Sequence, residues 1–476
     1  MKKITLLNFL LTISIGFSAF AQTTVYVSAT GGGDGTSESS PLGNFGNAMN
    51  QITSEGDRLI IIGTISPNGQ NLNSKSFGFT IEGLNTNSVL SLTSSSRLFT
   101  INGATSANVT FKNLTFLNNN TTLAGGSVFF NNAAGATATF ENCTFTGNSV
   151  TNNAGGGAIW FANGTLNITN STFDSNSSSD EAGAIFGQSG TITITNTLFK
   201  SNSVPTKGGA IYVLNADFTI TGSTFYDNAT TNTSGASGGA ALYVAGASST
   251  NSITNCTFFQ NRIGLPNNQD YATIRTDNGT TTVTNSLFYD NKTNNGEGSP
   301  ADWGSGPNGI QTFNTSIAQW ISTNIDNQDE GTGSITGIKG GGGTPANLSE
   351  SNLTFNATSG YVEYNTVDEG TDSPIDFGSD GNDVGAWNSG FTLALDEVLK
   401  SNVSVYMNTD SKTIEINHDL DQSLSVKLFT ILGSSVMEVK NVSKTATLNV
   451  NQLKTGVYIL VGKSSGKYFS KKLLIN

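Results

Sequence analysis

Asn170-Ser171-Thr172-Phe173-Asp174-Ser175-Asn176 and Asn196-Thr197-Leu198-Phe199-Lys200-Ser201-Asn202 are two copies of one motif, N-x-x-F-x-x-N, and its recurrence decides the fold. The same register gives Asn113 to Phe116, Asn142 to Phe145, Gly222 to Phe225, Asn255 to Phe258 and Asn285 to Phe288. The steps between the Phe positions are 29, 28, 26, 26, 33 and 30 residues. An apolar residue stands five before each Phe: Phe111, Phe140, Ile168, Ile194, Ile220, Ile253 and Val283. Between the motifs lies a Gly-rich block, Gly156-Gly157-Ala158-Ile159, Ala182-Gly183-Ala184-Ile185 and Gly208-Gly209-Ala210-Ile211, with looser copies at Gly125 and Gly238.

A period of this length holds two or three short strands divided by turns, and nothing in it has helical periodicity. Propeller blades need longer repeats, and leucine-rich repeats need a Leu pattern that is missing. If each repeat is one coil, neighbouring coils pair as parallel strands about 4.8 Å apart, and identical residues stack. Phe and the aliphatic residues then fill the core. Asn at a bend bridges its copies by amide hydrogen bonds, and Gly permits positive φ or close backbone approach at a corner. The hand is expected to be right, from the bias of parallel crossovers. The predicted fold class is therefore all-β: a right-handed parallel β-helix followed by a small C-terminal β-sandwich.

The alternating F-x-x-N and G-G-A-I motifs, over about Asn108 to Asn291, resemble the repeats of the polymorphic outer-membrane protein family. That resemblance implies a right-handed β-helix on a bacterial surface. Tyr26-Val27-Ser28 with Asp34-Gly35-Thr36 and Pro41 resembles the opening of right-handed β-helix proteins, which implies that Phe45 to Ile52 caps the first coil. A cap is required physically, because an open stack exposes pairing edges. Ser373 to Trp387 resembles the closing segment of bacterial surface β-helices.

Both chain ends read as addresses. Lys2 and Lys3, the apolar stretch Ile4 to Phe20 and Ala19-Phe20-Ala21 form a signal peptide ending before Gln22. It is the one long apolar run, so no membrane-spanning helix is expected in the mature chain. At the other end, Val403 to Tyr406, Thr413 to Ile416, Leu424 to Phe429, Gly456 to Val461 and Tyr468 to Ile475 alternate as strands of a small sandwich. Leu428 to Gly433, Gly456-Val457-Tyr458 and Lys471-Lys472-Leu473-Leu474-Ile475 resemble the C-terminal sorting domain of the type IX secretion system. This implies the type IX machinery as a partner, removal of the tail, and release or attachment at the outer cell surface. The expected division is 1–21 signal peptide, 22–55 entry and cap, 56–325 coils, 326–390 closing segment and linker, and 391–476 sorting domain.

The formal net charge is −12, while the segment from Phe391 onward carries ten basic and seven acidic residues. An acidic passenger thus precedes a mildly basic tail. Nucleic acid is excluded as a partner, because phosphate binding needs clustered Lys and Arg.

Catalytic constellations are sparse. The single His, His418, lies in the tail, so a His base is excluded from the passenger. Asp174, Asp227 and Asp290 flank the Phe motif in non-neighbouring coils and read as edge residues rather than a carboxylate pair. Cys143 and Cys256 share one coil position four coils apart, about 19 Å at this spacing, too far for a disulfide. No cofactor is implied. Ca²⁺ would have only Asp376, Asp380 and Asp383, or Asp326, Asp329 and Glu330, as candidate ligands, and no EF-hand or nonapeptide motif accompanies them.

Two ladders remain as candidate surfaces. Phe129, Trp160, Phe186, Tyr212 and Tyr243 each follow the apolar residue of the Gly-rich block, so strand alternation turns them outward. Such a stripe suits stacking on sugar faces or a hydrophobic partner, unless the rings stack on one another under a loop. Thr193/Thr195, Thr219/Thr221, Ser252/Thr254 and Thr282/Thr284, preceded by Asn167/Thr169, form a T-x-T face that resembles those of ice-binding proteins. The expected function is an exported surface or secreted module, an adhesin or glycan binder without catalytic activity. The alternatives are a polysaccharide lyase or glycoside hydrolase, and an ice-binding protein.

Overall fold

The computed structural model describes residues 22–102, 108–131, 135–231, 238–246, 250–264, 273–289 and 291–293, and thereafter 303–318, 335–339, 353–356, 361–364, 403–408, 412–419, 423–430, 435–454, 456–464 and 467–475. The expected signal peptide, Asp290, the expected closing segment Ser373 to Trp387 and both candidate Ca²⁺ clusters lie outside the described residues. The chain divides into two units, one built on the repeats and one on the C-terminal strands.

The repeat unit is a parallel β-helix whose coils pair in the register set by the motif. Phe79–Gly83, Val109–Lys112, Thr137–Glu141, Thr165–Thr169, Thr191–Thr195, Asp217–Thr221 and Thr250–Thr254 stack as one column of strands, continued by the end of Ile274–Thr284. The entry strand Thr24–Ser28 joins this column through Arg58–Ile62. A second column carries the motif Phe residues, from Thr115–Leu117 to Leu287–Tyr289. A third holds Phe99–Asn102, Val128–Asn131, Ile159–Asn163, Ile185–Gly187, Ile211–Val213 and Leu242–Val244.

Register turns the Phe positions into one continuous stack. Phe116, Phe145, Phe173, Phe199, Phe225, Phe258 and Phe288 have ring centroids 4.3 to 4.9 Å apart and planes within 9° of parallel. All are fully buried in the bore. Each contributes about 1.5–3 kcal/mol by burial, and the ring pairs add about 0.5–1.5 kcal/mol each.

The Asn three residues later makes the corner. Asn119, Asn148, Asn176, Asn202, Asn228, Asn261 and Asn291 are buried. From Asn119 to Asn261, each Nδ2 donates to the Oδ1 of the Asn one coil on, at 2.8 to 3.0 Å. From Asn148 onward, the second Nδ2 proton goes to the Phe carbonyl of the previous coil, at 2.9 to 3.0 Å. In a buried amide whose donors and acceptor are all met, the hydrogen bonds offset the cost of desolvation. The Asn that opens the motif has a different task. Asn113, Asn142, Asn170, Asn196, Asn255 and Asn285 sit at φ of 47 to 54°, and Gly222 fills the slot at 58°. Asn tolerates this left-handed corner better than other residues with a Cβ.

The helix Phe45–Gln51 closes the first coil. Asn44 caps it by accepting the Asn47 N–H at 2.9 Å, and Phe45, Ala48 and Met49 are buried against the core. Asp57 clasps the entry: its carboxylate accepts N–H bonds from Thr23, Thr53 and Ser54 at 2.8 to 2.9 Å. Burial alone would raise the Asp57 carboxyl, but these donors and the charge of Lys75 outweigh it and hold the pKa below its ordinary value.

The C-terminal unit has two antiparallel sheets. Val403–Asn408, Thr413–His418 and Thr445–Asn449 form one; Ser435–Val442, Leu424–Thr430, Gly456–Ser464 and Lys467–Ile475 form the other. They share a core that includes Val405, Ile414, Ile416, Val426, Leu428, Leu460 and Leu473. Ser435–Val442 and Thr445–Asn449 were not distinguished by alternation. His418 is buried, its Nε2 3.1 Å from the Val442 carbonyl oxygen, and is a packing residue.

Replacing Asn202 by Ala strands buried amide partners above and below, so the unfolding free energy should fall by about 2–4 kcal/mol in denaturant titration. Exposed Asn120→Ala should change it by less than about 0.5 kcal/mol. Asp57 has a depressed folded pKa, so its contribution is present above the unfolded value of about 3.9 and lost as pH falls through the folded value. Hydrogen exchange should show the entry strand loosening first on acidification below about pH 4, and Asp57→Asn should loosen it already at neutral pH.

Candidate functional site

The Gly-rich block builds the aromatic column. Gly156 at φ 72° turns the chain, and a Cβ on Gly157 would lie 2.1 Å from the Gly183 carbonyl oxygen. Only Gly lets successive coils approach so closely there. The turn sends Ile159 into the bore and Trp160 to the other side of the strand. In register, the outward position reads Thr100, Phe129, Trp160, Phe186, Tyr212, Tyr243 and Arg275 along successive coils.

The five aromatic residues do form a stack outside the bore. Centroid separations are 6.0, 4.6, 5.2 and 5.4 Å from Phe129 to Tyr243. The expected open stripe, however, is restricted to one end. Phe186, Tyr212 and Tyr243 are only 5–6 % exposed, whereas Phe129 and Trp160 are half-buried. The chain just before each Gly pair covers the ring of the next coil: a Cβ on Gly155 would meet the Phe186 ring at 2.9 Å, and Lys207 Nζ lies 5.0 Å from the Tyr243 centroid. Ala182, Leu214 and Ala245 complete the cover. Strand alternation tells which side a ring takes, not what lies over it.

Charged groups flank both ends of the column. At the closed end the Tyr243 hydroxyl donates to Asp277 Oδ2, and Arg275 Nε donates to Asp277 Oδ1 at 2.6 Å. Tyr212 is pushed well above its ordinary pKa, by burial first and then by Glu181, Asp277 and Asp180. Tyr243 is raised by burial, then by its bond to Asp277. Glu181 is raised by burial and Asp180, against the opposing charge of Lys207. At the open end the Arg97 guanidinium lies 4.5 Å from the Phe129 centroid, and no carboxylate among the described residues pairs with it. Burial lowers the Arg97 pKa, and Arg97 Nε and Trp160 Nε1 are buried without an acceptor among the described residues.

Glu181, Lys207, Asp277, Arg275 and Arg97 were missed as site residues. The register could have found Arg275, which occupies the aromatic slot one coil after Tyr243. Arg97 belongs to a coil that lacks the Phe motif, so no repeat marks it.

The remaining candidates are accounted for locally. Asp174 pairs with Lys200 at 3.6 Å, and Asp227 with Arg262 at 2.7 Å; both acids are edge residues held by neighbours. Cys143 and Cys256 are free and buried in the shared slot. Burial pushes both thiols up to about 12. Among the described residues no three His, Cys, Asp or Glu side chains gather as a metal group, and no helix is long and apolar enough to cross a membrane.

Residues 404–476 match the secretion system C-terminal sorting domain, and this type IX tail identifies the chain as an exported protein that is secreted or attached to the cell surface. No curated protein matches the chain.

With pKa values of about 12 and no exposure, neither thiol should react with iodoacetamide at pH 8 in the native state. Both should label on unfolding, with no disulfide between them by mass spectrometry.

Proposed function

We propose that the exported β-helix is a non-catalytic binding module, an adhesin-type protein that holds acidic glycans at the open end of its aromatic column. The observation that carries this is Arg97: a half-buried guanidinium stacked on Phe129, lacking a carboxylate partner among the described residues, beside the half-buried Phe129–Trp160 step. A partly desolvated cation without a counter-charge costs free energy, which a sugar carboxylate or sulfate would recover through charge-assisted, bidentate bonds. The neighbouring rings supply the apolar faces that sugar C–H groups stack on. Phe186, Tyr212 and Tyr243 then serve as the rigid base of the column.

The polysaccharide-cleaving alternative would rest on the closed end, where carboxylates, Arg275 and two tyrosines meet. Both tyrosines there are driven away from the pKa near working pH that a general base needs, whereas Glu181 is raised toward it. We further take the repeats to be of the polymorphic outer-membrane-protein type, with the signal peptide ending at Ala21. The proposed division is 22–55 entry and cap, 56–325 coils, 326–390 closing segment and 391–476 removable tail.

A glycan array on the secreted chain tests the site. Wild type should bind uronate- or sulfate-bearing glycans. Arg97→Gln, Phe129→Ala and Trp160→Ala should each weaken binding by tenfold or more, about 1.4 kcal/mol, and binding should fall with salt. No binding to any acidic glycan, or equal binding in all three variants, would sink the assignment.

A further inference from the structure

The Thr-bearing face is more regular than the T-x-T pairs alone disclose. In the five successive strand segments 165–169, 191–195, 217–221, 250–254 and 280–284, the outward positions form three aligned columns. Twelve of the fifteen positions are Thr, and the others are Asn167, Asp217 and Ser252. None of the fifteen is buried, while the residues between them point into the bore. The third column runs from Thr165 through Thr191, Asp217 and Thr250 to Thr280.

Composition does not explain this regularity. On the Phe-bearing strands of the same coils, the outward position after Phe is Asp174, Lys200, Tyr226 and Phe259. Within these five coils the Thr face carries one charged residue in fifteen positions, while toward the entry the same outward column turns to Glu141, Lys112 and Glu82. Asp217, the one charged residue among the fifteen, accepts the Thr250 N–H of the next coil at 2.9 Å. A charged face would favour an oppositely charged partner; the five-coil Thr patch matches a neutral partner with a fixed lattice.

We propose that this face binds ice. The hydroxyls repeat about every 4.8 Å from coil to coil and about every 6.7 Å from residue i to i+2, over a patch of about 19 by 13 Å. Both periods approach oxygen–oxygen repeats on the faces of hexagonal ice. Each Thr offers a hydroxyl that donates and accepts beside a methyl that a water cage can enclose. The β-branch restricts χ1, so the array is ordered before it meets the lattice. The inference is independent of the glycan site, since the two use different residues.

The test is partition of the full chain into slowly growing ice, with crystal habit followed by microscopy. Wild type should enter the ice and facet the crystal. Thr219→Lys and Thr193→Lys, each with an unchanged circular dichroism spectrum and melting temperature, should lower partition at least tenfold, while Trp160→Ala should leave it intact. Failure of the wild type to enter ice would overturn the proposal. So would full partition by the Thr variants, equal loss in Trp160→Ala, or adsorption to an insoluble neutral polysaccharide without ice partition.

Discussion

Everything in the repeat unit follows from one constraint: parallel coils stacked in register place each residue about 4.8 Å from its equivalents above and below. A side chain is therefore judged first by whether it can neighbour a copy of itself. Phe can, because flat rings stack at nearly the strand spacing, as the 4.3 to 4.9 Å centroid distances show. Asn can, because its amide is donor and acceptor at once. A buried Gln or Ser would not close the same chain of bonds from that backbone position. The polar corner is thus as well satisfied as the apolar bore, and the coil turns without leaving a buried amide unpaired.

Charge obeys the same constraint with the opposite sign. Like charges directly opposed on neighbouring strands repel, and the charged columns alternate. Glu82, Lys112 and Glu141 follow one another in register, with a 3.2 Å ion pair between the last two. Arg58 pairs with Glu82 at the entry. Asp174 is opposed by Lys200, and Glu181 stands beside Lys207 through a parallel backbone bridge, the Lys charge opposing the upward shift of the carboxyl. Arg97 breaks the rule by having a ring rather than a carboxylate beside it. That departure is what makes it the strongest binding candidate on the column.

The register itself was legible in the sequence, because a residue that must stack on its copy must also recur. The Phe bore, the Asn ladder, the placement of the two Cys residues in one slot and the outward turn of the aromatic residues all follow from counting. What was not legible depends on segments of unequal length. The residues that cover Phe186 and Tyr243 lie in the loops that make the steps vary from 26 to 33, where no alignment fixes position. The left-handed φ at Asn142 or Asn196 is also invisible in a pattern, although the substitution of Gly222 at the same slot was its trace.

Stacking also separates the two candidate surfaces. A strand presents one row of side chains per face, and a turn such as Asn163-Gly164 divides the aromatic strand Ile159–Asn163 from the Thr strand Thr165–Thr169. A change on one column is felt mainly by its copies above and below, as in other repeat architectures where each unit contacts only its neighbours. Effects at Trp160 and Thr219, two coils and one turn apart, should therefore combine additively, as distant sites without shared partners do. Effects at Phe186 and Tyr212 should not, because the rings touch at 5.2 Å. A long β-helix can in this way carry two unrelated binding functions on one exported chain, each tuned by substitution within its own column while the Phe and Asn ladders remain unchanged.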